Sequence, residues 1–182
     1  MHMNIVNFET LSEAQCTQAA RMLTEELPPG WPSLADAMRE IGEIRGNGDA
    51  LLLCAVENGE VLGWAGLLPA YARVFELHPL VVRQDRQRMG IGSALLREII
   101  CAAREKGGLV LLAGADDEGP EGATSLANVD LYEDLPGKLA AFDPGAHQAA
   151  FYMKNGFSVV GVVPDANGIG KPDIQLAKRL YE

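Results

Sequence analysis

The sequence has 182 residues, 15 basic and 25 acidic, for a formal net charge of −10; 48% of it is hydrophobic and 22% charged. That length fits one domain, residues 1–182, able to bury about 70% of its unfolded surface without a disulfide or metal staple. The composition excludes a disordered chain, and the acidity argues against a nucleic-acid partner, whose phosphates call for Lys and Arg. It suits a cationic partner, or simply solubility. Cys16, Cys54 and Cys101 are an odd set with no Cys-x-x-Cys spacing, so neither a disulfide scaffold nor a cysteine metal site is expected. No apolar run approaches the roughly 18 residues of a membrane span. The opening residues lack a basic segment followed by an apolar one. The expectation is a reduced, cytoplasmic protein with no membrane partner.

In chain order, Asn4 to Phe8 alternates like a first strand. Thr10-Leu11-Ser12-Glu13 offers a capping box for a helix running to Leu27, which Pro28-Pro29-Gly30 stops. Ser33 caps a second helix to Ile44. Leu51 to Val56 reads as a buried strand. Asn58-Gly59 marks a hairpin turn, and Val61 to Leu68 returns. A further strand covers Val74 to Val82, with Pro79 as a fault that predicts a bulge or a splayed edge. Gly90 to Glu105 is a long helix with Ala94, Leu95, Ile99 and Ala102 near one face. Leu109 to Leu112 is a strand. Residues 114–137 read as an acidic loop with a short helix near Leu131. His147 to Asn155 is a helix ended by Gly156. Phe157 to Val163 and Ile174 to Leu180 are the last strands. The result is a mixed α/β domain.

The most informative segment joins the Val74–Val82 strand to the long helix. It contains Arg83, Arg86 and Arg88, then Met89-Gly90-Ile91-Gly92. A helix N-terminus behind a glycine turn offers free N–H groups and a positive dipole end, which suit an anion. A dinucleotide fingerprint would need a third glycine where Leu95 stands, and a Walker loop would need Gly-Lys-Ser/Thr. The remaining readings are an ordinary tight turn and an anion site of another kind, which the three arginines favour.

Gln87-x-x-Gly90-x-Gly92 resembles the Q/R-x-x-G-x-G/A motif of the GNAT superfamily of N-acetyltransferases. Several further segments are similar to the bacterial aminoglycoside 6′-N-acetyltransferases. They are Glu76 to Val82, Gly114 to Asp117, Asp130-Leu131-Tyr132, Phe151 to Phe157, Val162 to Gly168 and Lys171 to Ile174. The resemblance covers about residues 50–180 well and the first fifty loosely. It implies a mixed, mostly antiparallel, centrally splayed sheet flanked by helices. It also implies acetyl-CoA as co-substrate, direct attack without an acyl-enzyme, and a homodimer. The implied acetyl-CoA contacts are Leu80, Val81, Val82, Gln87, Arg88, Met89, Gly90, Ile91, Gly92, Ser93, Phe151, Tyr152 and Lys154. One departure is Gly145, where many relatives carry an Asn that bonds the pantetheine arm.

Acyl transfer to an amine needs a base, an oxyanion donor and an acid for the departing thiolate. Glu76 stands where the family often places its base; it also reads as a charge that only holds a cationic substrate. His78 either shares that task or completes local hydrogen bonds. The Leu80 backbone N–H is the family's donor to the thioester carbonyl. Tyr152 is the candidate acid, a phenol having a pKa of about 10; its other reading is a packed aromatic beside Phe151.

Between Leu109 and Gly137 there is no Lys or Arg, while Asp116, Asp117, Glu118, Glu121, Asp130, Glu133 and Asp134 are all acidic. Such a run is either a solvated loop or a cleft that gathers a polycationic small molecule. The expected acceptor contacts are Trp31, Tyr71, Glu76, Asp116, Asp117, Asp130 and Asp134. Two alternatives stay open: an acetyltransferase for a polyamine, another small amine or a basic protein side chain, and a CoA-binding sensor without turnover. No metal is expected.

Overall fold

The computed structural model describes residues 3–118 and 124–182; Glu121 of the acidic run lies outside them. The chain forms two compact units, residues 1–109 and 110–182.

The first unit is a four-stranded antiparallel sheet with three helices. Its strands are β1 (Asn4–Asn7), β2 (Leu51–Glu57), β3 (Glu60–Tyr71) and β4 (Val74–Val82), each paired with the next. Asn58 and Gly59 both take positive φ in the β2–β3 turn, as the sequence requires of a tight hairpin. The helices are α1 (Glu13–Glu26), α2 (Leu34–Gly46) and α3 (Ile91–Glu105). The capping box of α1 is Ser12 with Gln15, two residues beyond the expected Thr10 and Glu13. The reason is that Phe8–Thr10 forms a 3-10 turn, capped by the Asn7 side chain. Ser33 caps α2 through Asp36 N–H, as expected.

The core of this unit gathers Leu23, Ala37, Ile41, Leu52 and Trp64 around Phe8. Trp64 is wholly buried and donates its indole N–H to the Ala19 carbonyl at 3.0 Å, so its one polar atom is satisfied. Helix α3 buries Ile91, Leu95, Leu96, Ile99 and Ala103. Its buried stripe is therefore set by steps of four from Ile91, while Ala94 and Ala102 stay half-buried beside it. Burying each large aliphatic side chain contributes about 2 kcal/mol, enough to hold the helix against the sheet and fix where its N-terminus lies.

The fault at Pro79 is a bulge. Ala65 pairs with Leu80, but Leu67 pairs with Leu77, so His78 and Pro79 together face the single residue Gly66. The His78–Pro79 peptide is cis. A Cβ on Gly66 would sit 2.2 Å from the His78 carbonyl oxygen, so only glycine allows this approach.

The second unit is a three-stranded antiparallel sheet in the order β5 (Val110–Asp116), β7 (Asp173–Arg179), β6 (Ser158–Val163). Strand β5 runs four residues beyond the expected end at Leu112, because β7 pairs with it up to Asp116. The short helix expected near Leu131 is instead α4 (Leu135–Ala140), and turns occupy residues 131–133. Asp134 caps α4, and Pro136 sits in its first turn, where a missing N–H costs nothing. The helix expected from His147 is the shorter α5 (Ala149–Lys154), with Gly156 at positive φ after it.

Candidate functional site

The glycine turn is built by its neighbours. Beyond β4, Gln84–Arg86 makes one 3-10 turn, and the Gln87 side chain donates to the Val82 carbonyl at 3.0 Å. This bond ties the loop back to the strand it leaves. Arg83 bonds Asp85 at 2.6 Å and Glu60 at 3.1 Å, while Arg86 reaches Asp85 at 3.6 Å and Glu57 at 3.9 Å. The Arg83 guanidinium holds the Asp85 carboxyl below its usual range, and Asp85 raises Arg83 in turn. Two of the three arginines expected to attract an anion are thus already neutralised. Arg88, exposed and at φ 60°, forms no ion pair with any described residue.

Gly90 caps α3 at φ +86°, with open space where a Cβ would be. The first helical bond is Ala94 N–H to Gly90 O at 2.9 Å. The N–H groups of Ile91, Gly92 and Ser93 therefore precede the hydrogen-bonded ladder and face the turn unspent. Their donors and the dipole suit a pyrophosphate, and neither Gly90 nor Gly92 carries a side chain to obstruct one. Met89 is exposed beside them.

Strand β4 sorts its residues by parity. Phe75, Leu77, Pro79 and Val81 are buried, and Glu76, His78, Leu80 and Val82 are half-buried between them. The side chains of Glu76, His78 and Leu80 therefore share one face; the donor expected of Leu80 is its backbone N–H, which lies in the plane of the sheet. The Glu76 carboxylate forms no hydrogen bond or ion pair with a described residue. His78 meets Trp31, with ring centroids 5.8 Å apart. Glu40 of α2 lies between them: its Oε2 accepts from Trp31 Nε1 at 3.4 Å, and its Oε1 is 3.4 Å from His78 Nε2. Sequence reasoning missed Glu40, since nothing in the helix pattern distinguishes it from Glu43. Tyr71 is not part of this group. It is 73% exposed at the β3–β4 turn and lines a shallow recess with Asp49, Phe75 and Lys106.

In the second unit the acidic residues are held by neutral donors. Asp116 accepts from Asn167 Nδ2 at 2.7 Å, and its carbonyl lies 3.0 Å from His147 Nε2. Asp130 accepts from Tyr132 N–H at 2.9 Å, and Asp134 from Gly137 N–H at 3.3 Å. Asp117 differs from them. It is 1% exposed and accepts from Thr124 N–H at 3.1 Å, a structural use that leaves no open edge for an acceptor. Asp130 and Tyr132 line a second recess with Asp165 and Ile169. Gly145, at the position of the family's Asn, takes φ 53° and donates to Asp143 at 2.9 Å.

Tyr152 packs between Phe151 and Phe157, with ring centroids 5.4 and 5.5 Å away. It is 6% exposed, and burial pushes its phenol up to about 12. The hydroxyl bonds no described residue, so it is held protonated with its donor uncommitted. Phe151 is half-buried beside it, and Lys154 is exposed in the last turn of α5. Among the described residues no cluster of three or more His, Cys, Asp or Glu is placed to hold a metal ion, and no helix is long and apolar enough to cross a membrane.

Comparison with known proteins bears on this geometry. A crystal structure of an aminoglycoside 6′-N-acetyltransferase complexed with coenzyme A is 32% identical, with a TM-score of 0.90, and 98% of each chain is covered. The aminoglycoside 6′-N-acetyltransferase from Enterococcus faecium is 31% identical over 98% of both chains, with a TM-score of 0.87. An aminoglycoside 6′-acetyltransferase type Ii is 28% identical over the same shares, with a TM-score of 0.76. No match was found among curated proteins. The sequence model of the acetyltransferase (GNAT) family matches residues 16–123, well over half of the chain. With the fold, the glycine turn and full-length relatives above 30% identity, this chain belongs to the acetyltransferase (GNAT) family.

Proposed function

We propose that this acetyltransferase moves the acetyl group of acetyl-CoA to the 6′-amine of an aminoglycoside by direct attack. The observation that carries the reading is the β4 face. It offers a carboxylate without a protein partner, Glu76, two residues from His78 and four from Leu80 on one side of a strand. The full-length likeness to 6′-N-acetyltransferases supports the acceptor. The donors of Ile91, Gly92 and Ser93 suit the pyrophosphate of acetyl-CoA, and Val81, Val82 and Gln87 to Gly90 are the accompanying contacts.

Glu76 takes a proton from the acceptor's ammonium, through a water. The freed amine attacks the thioester carbon, and the Leu80 N–H bonds the oxygen that becomes negative. The carbon–sulfur bond then breaks. The thiolate takes the Tyr152 proton, and the phenolate recovers one from the nitrogen that has become an amide. One proton leaves overall, through Glu76. The burial of Tyr152 keeps it in the donating form at neutral pH.

The test is thiol release from acetyl-CoA in the presence of three amines: an aminoglycoside with a 6′-amine, its 6′-hydroxyl analogue, and spermidine. Turnover is expected with the 6′-amine alone, and Glu76→Gln should lower kcat by about 100-fold or more, in the range of a lost general base. Turnover with spermidine and neither drug overturns the aminoglycoside reading while leaving the acetyltransferase. Acetyl-CoA binding with no turnover of any amine favours a sensor.

A further inference from the structure

The half-buried face of β4 carries a cluster that the chemistry above leaves unused. Glu40 binds the Trp31 indole N–H through Oε2, and its Oε1 stands 3.4 Å from His78 Nε2. The Trp31 and His78 rings are tilted 45° to one another. The His78 and Glu40 side chains are 40% and 26% exposed, so the outer edge of the cluster meets solvent. An indole nitrogen only donates and an ionised carboxylate only accepts. The imidazole nitrogen facing Oε1 is then the one that holds the proton of the neutral ring, and Nδ1 keeps its lone pair.

We propose that Glu40 is a positioning residue of the acceptor site, fixing Trp31 in place and holding His78 with its proton on Nε2. The proposal rests on the acetyl-transfer reading above. With that proton placed, the surface beside Glu76 presents hydrogen-bond acceptors and an aromatic face, and no donors from these side chains. The ligand class this fits is a hydroxylated ring bearing ammonium groups. Its N–H and O–H groups donate to Glu76 and His78 Nδ1, and its apolar ring face lies on Trp31. A lone linear amine would use the carboxylates and leave the indole idle.

Glu40→Gln keeps the shape of the side chain and puts a donor in place of the acceptor that faces His78. The carbonyl of the new carboxamide must face Trp31, which only donates. Its N–H₂ then faces His78 Nε2, and the ring proton moves to Nδ1. The measurement is the nitrogen chemical shifts of histidine-labelled protein, with the pH raised until the His78 signals are those of the neutral ring. A His78→Asn variant picks the signal out of the chain's three histidines. Wild type is expected as the Nε2–H tautomer and Glu40→Gln as Nδ1–H. With the best-used amine, KM should rise about tenfold in Glu40→Gln, as for a lost charge-assisted bond, with kcat and acetyl-CoA affinity nearly unchanged. Adding Trp31→Phe to Glu40→Gln frees the carboxamide carbonyl to turn to the ring, and should restore the Nε2–H tautomer. The same tautomer in wild type and Glu40→Gln, or a tautomer switch with no change in KM, overturns the proposal. Should every amine be silent, the acceptor reading fails on its own, and the tautomer comparison still decides whether Glu40 sets His78.

Discussion

The loop after β4 and the acidic stretch after β5 are both charged, and the structure uses their charges in opposite ways. Arg83 and Arg86 are met by Glu57, Glu60 and Asp85, so their fields largely cancel. Asp116, Asp130 and Asp134 are met by the side-chain amide of Asn167 and the backbone N–H groups of Tyr132 and Gly137. Those donors fix the carboxylates in place and leave their charge intact. A count of basic residues therefore overstates what the glycine turn offers an anion, while a count of acidic ones is a fairer guide to the second unit. On the function proposed above, the turn works chiefly through backbone donors, and the acidic stretch through net charge.

Between these two regions, the largest expected effect comes from the backbone of the turn. Gly90→Val places a β-branched side chain at φ +86°, at a strain of about 1–3 kcal/mol. Acetyl-CoA affinity, read by calorimetry, should fall about tenfold or more; an unchanged affinity would end the claim that the turn's geometry carries the site. Next in size is salt. Raising ionic strength from about 0.1 M to 1 M shortens the screening length from about 10 Å to about 3 Å. The KM of a polycationic acceptor should rise about fivefold, and that of acetyl-CoA by much less. Equal responses would mean that the two regions do not differ as described. The smallest effect separates the arginines. Arg88→Gln should weaken acetyl-CoA by about threefold, whereas Arg83→Gln, whose guanidinium is already paired, should change it hardly at all. A larger loss from Arg83 would show that its ion pairs give way to the ligand.

Local signals in the sequence carry far where the cause is local. Asn58-Gly59, the Ser33 cap and the fault at Pro79 each specify their own backbone, and each forms as expected. Strand β5 reads short from sequence because its last residues, Gly114 to Asp116, look like a loop until β7 supplies partners about 60 residues away. Helix α4 is masked by the turn-forming residues near Leu131, although the spacing of Asp134 and Pro136 marks a helix start. On the β4 face, strand periodicity suffices to group Glu76, His78 and Leu80. Glu40 has no such route. It reaches His78 only through the packing of α2, and no spacing rule links positions 38 apart. Pairing likewise decides how many of the basic residues remain free, and pairing is a property of the folded chain.

The bulge at Gly66 makes the face of β4 proposed for catalysis depend on residue number as well as on residue identity. Strand β3 changes parity across it: Ala65 lies opposite Leu80, yet Leu68 lies opposite Glu76. Removing one residue from His78–Pro79 would restore an unbroken ladder. It would also turn either Glu76 or Leu80 toward the core, since one step of register exchanges the two faces of a strand. A single-codon deletion there is thus a sharper lesion than most substitutions. Over geological time this short hairpin segment should tolerate changes of side chain more readily than changes of length.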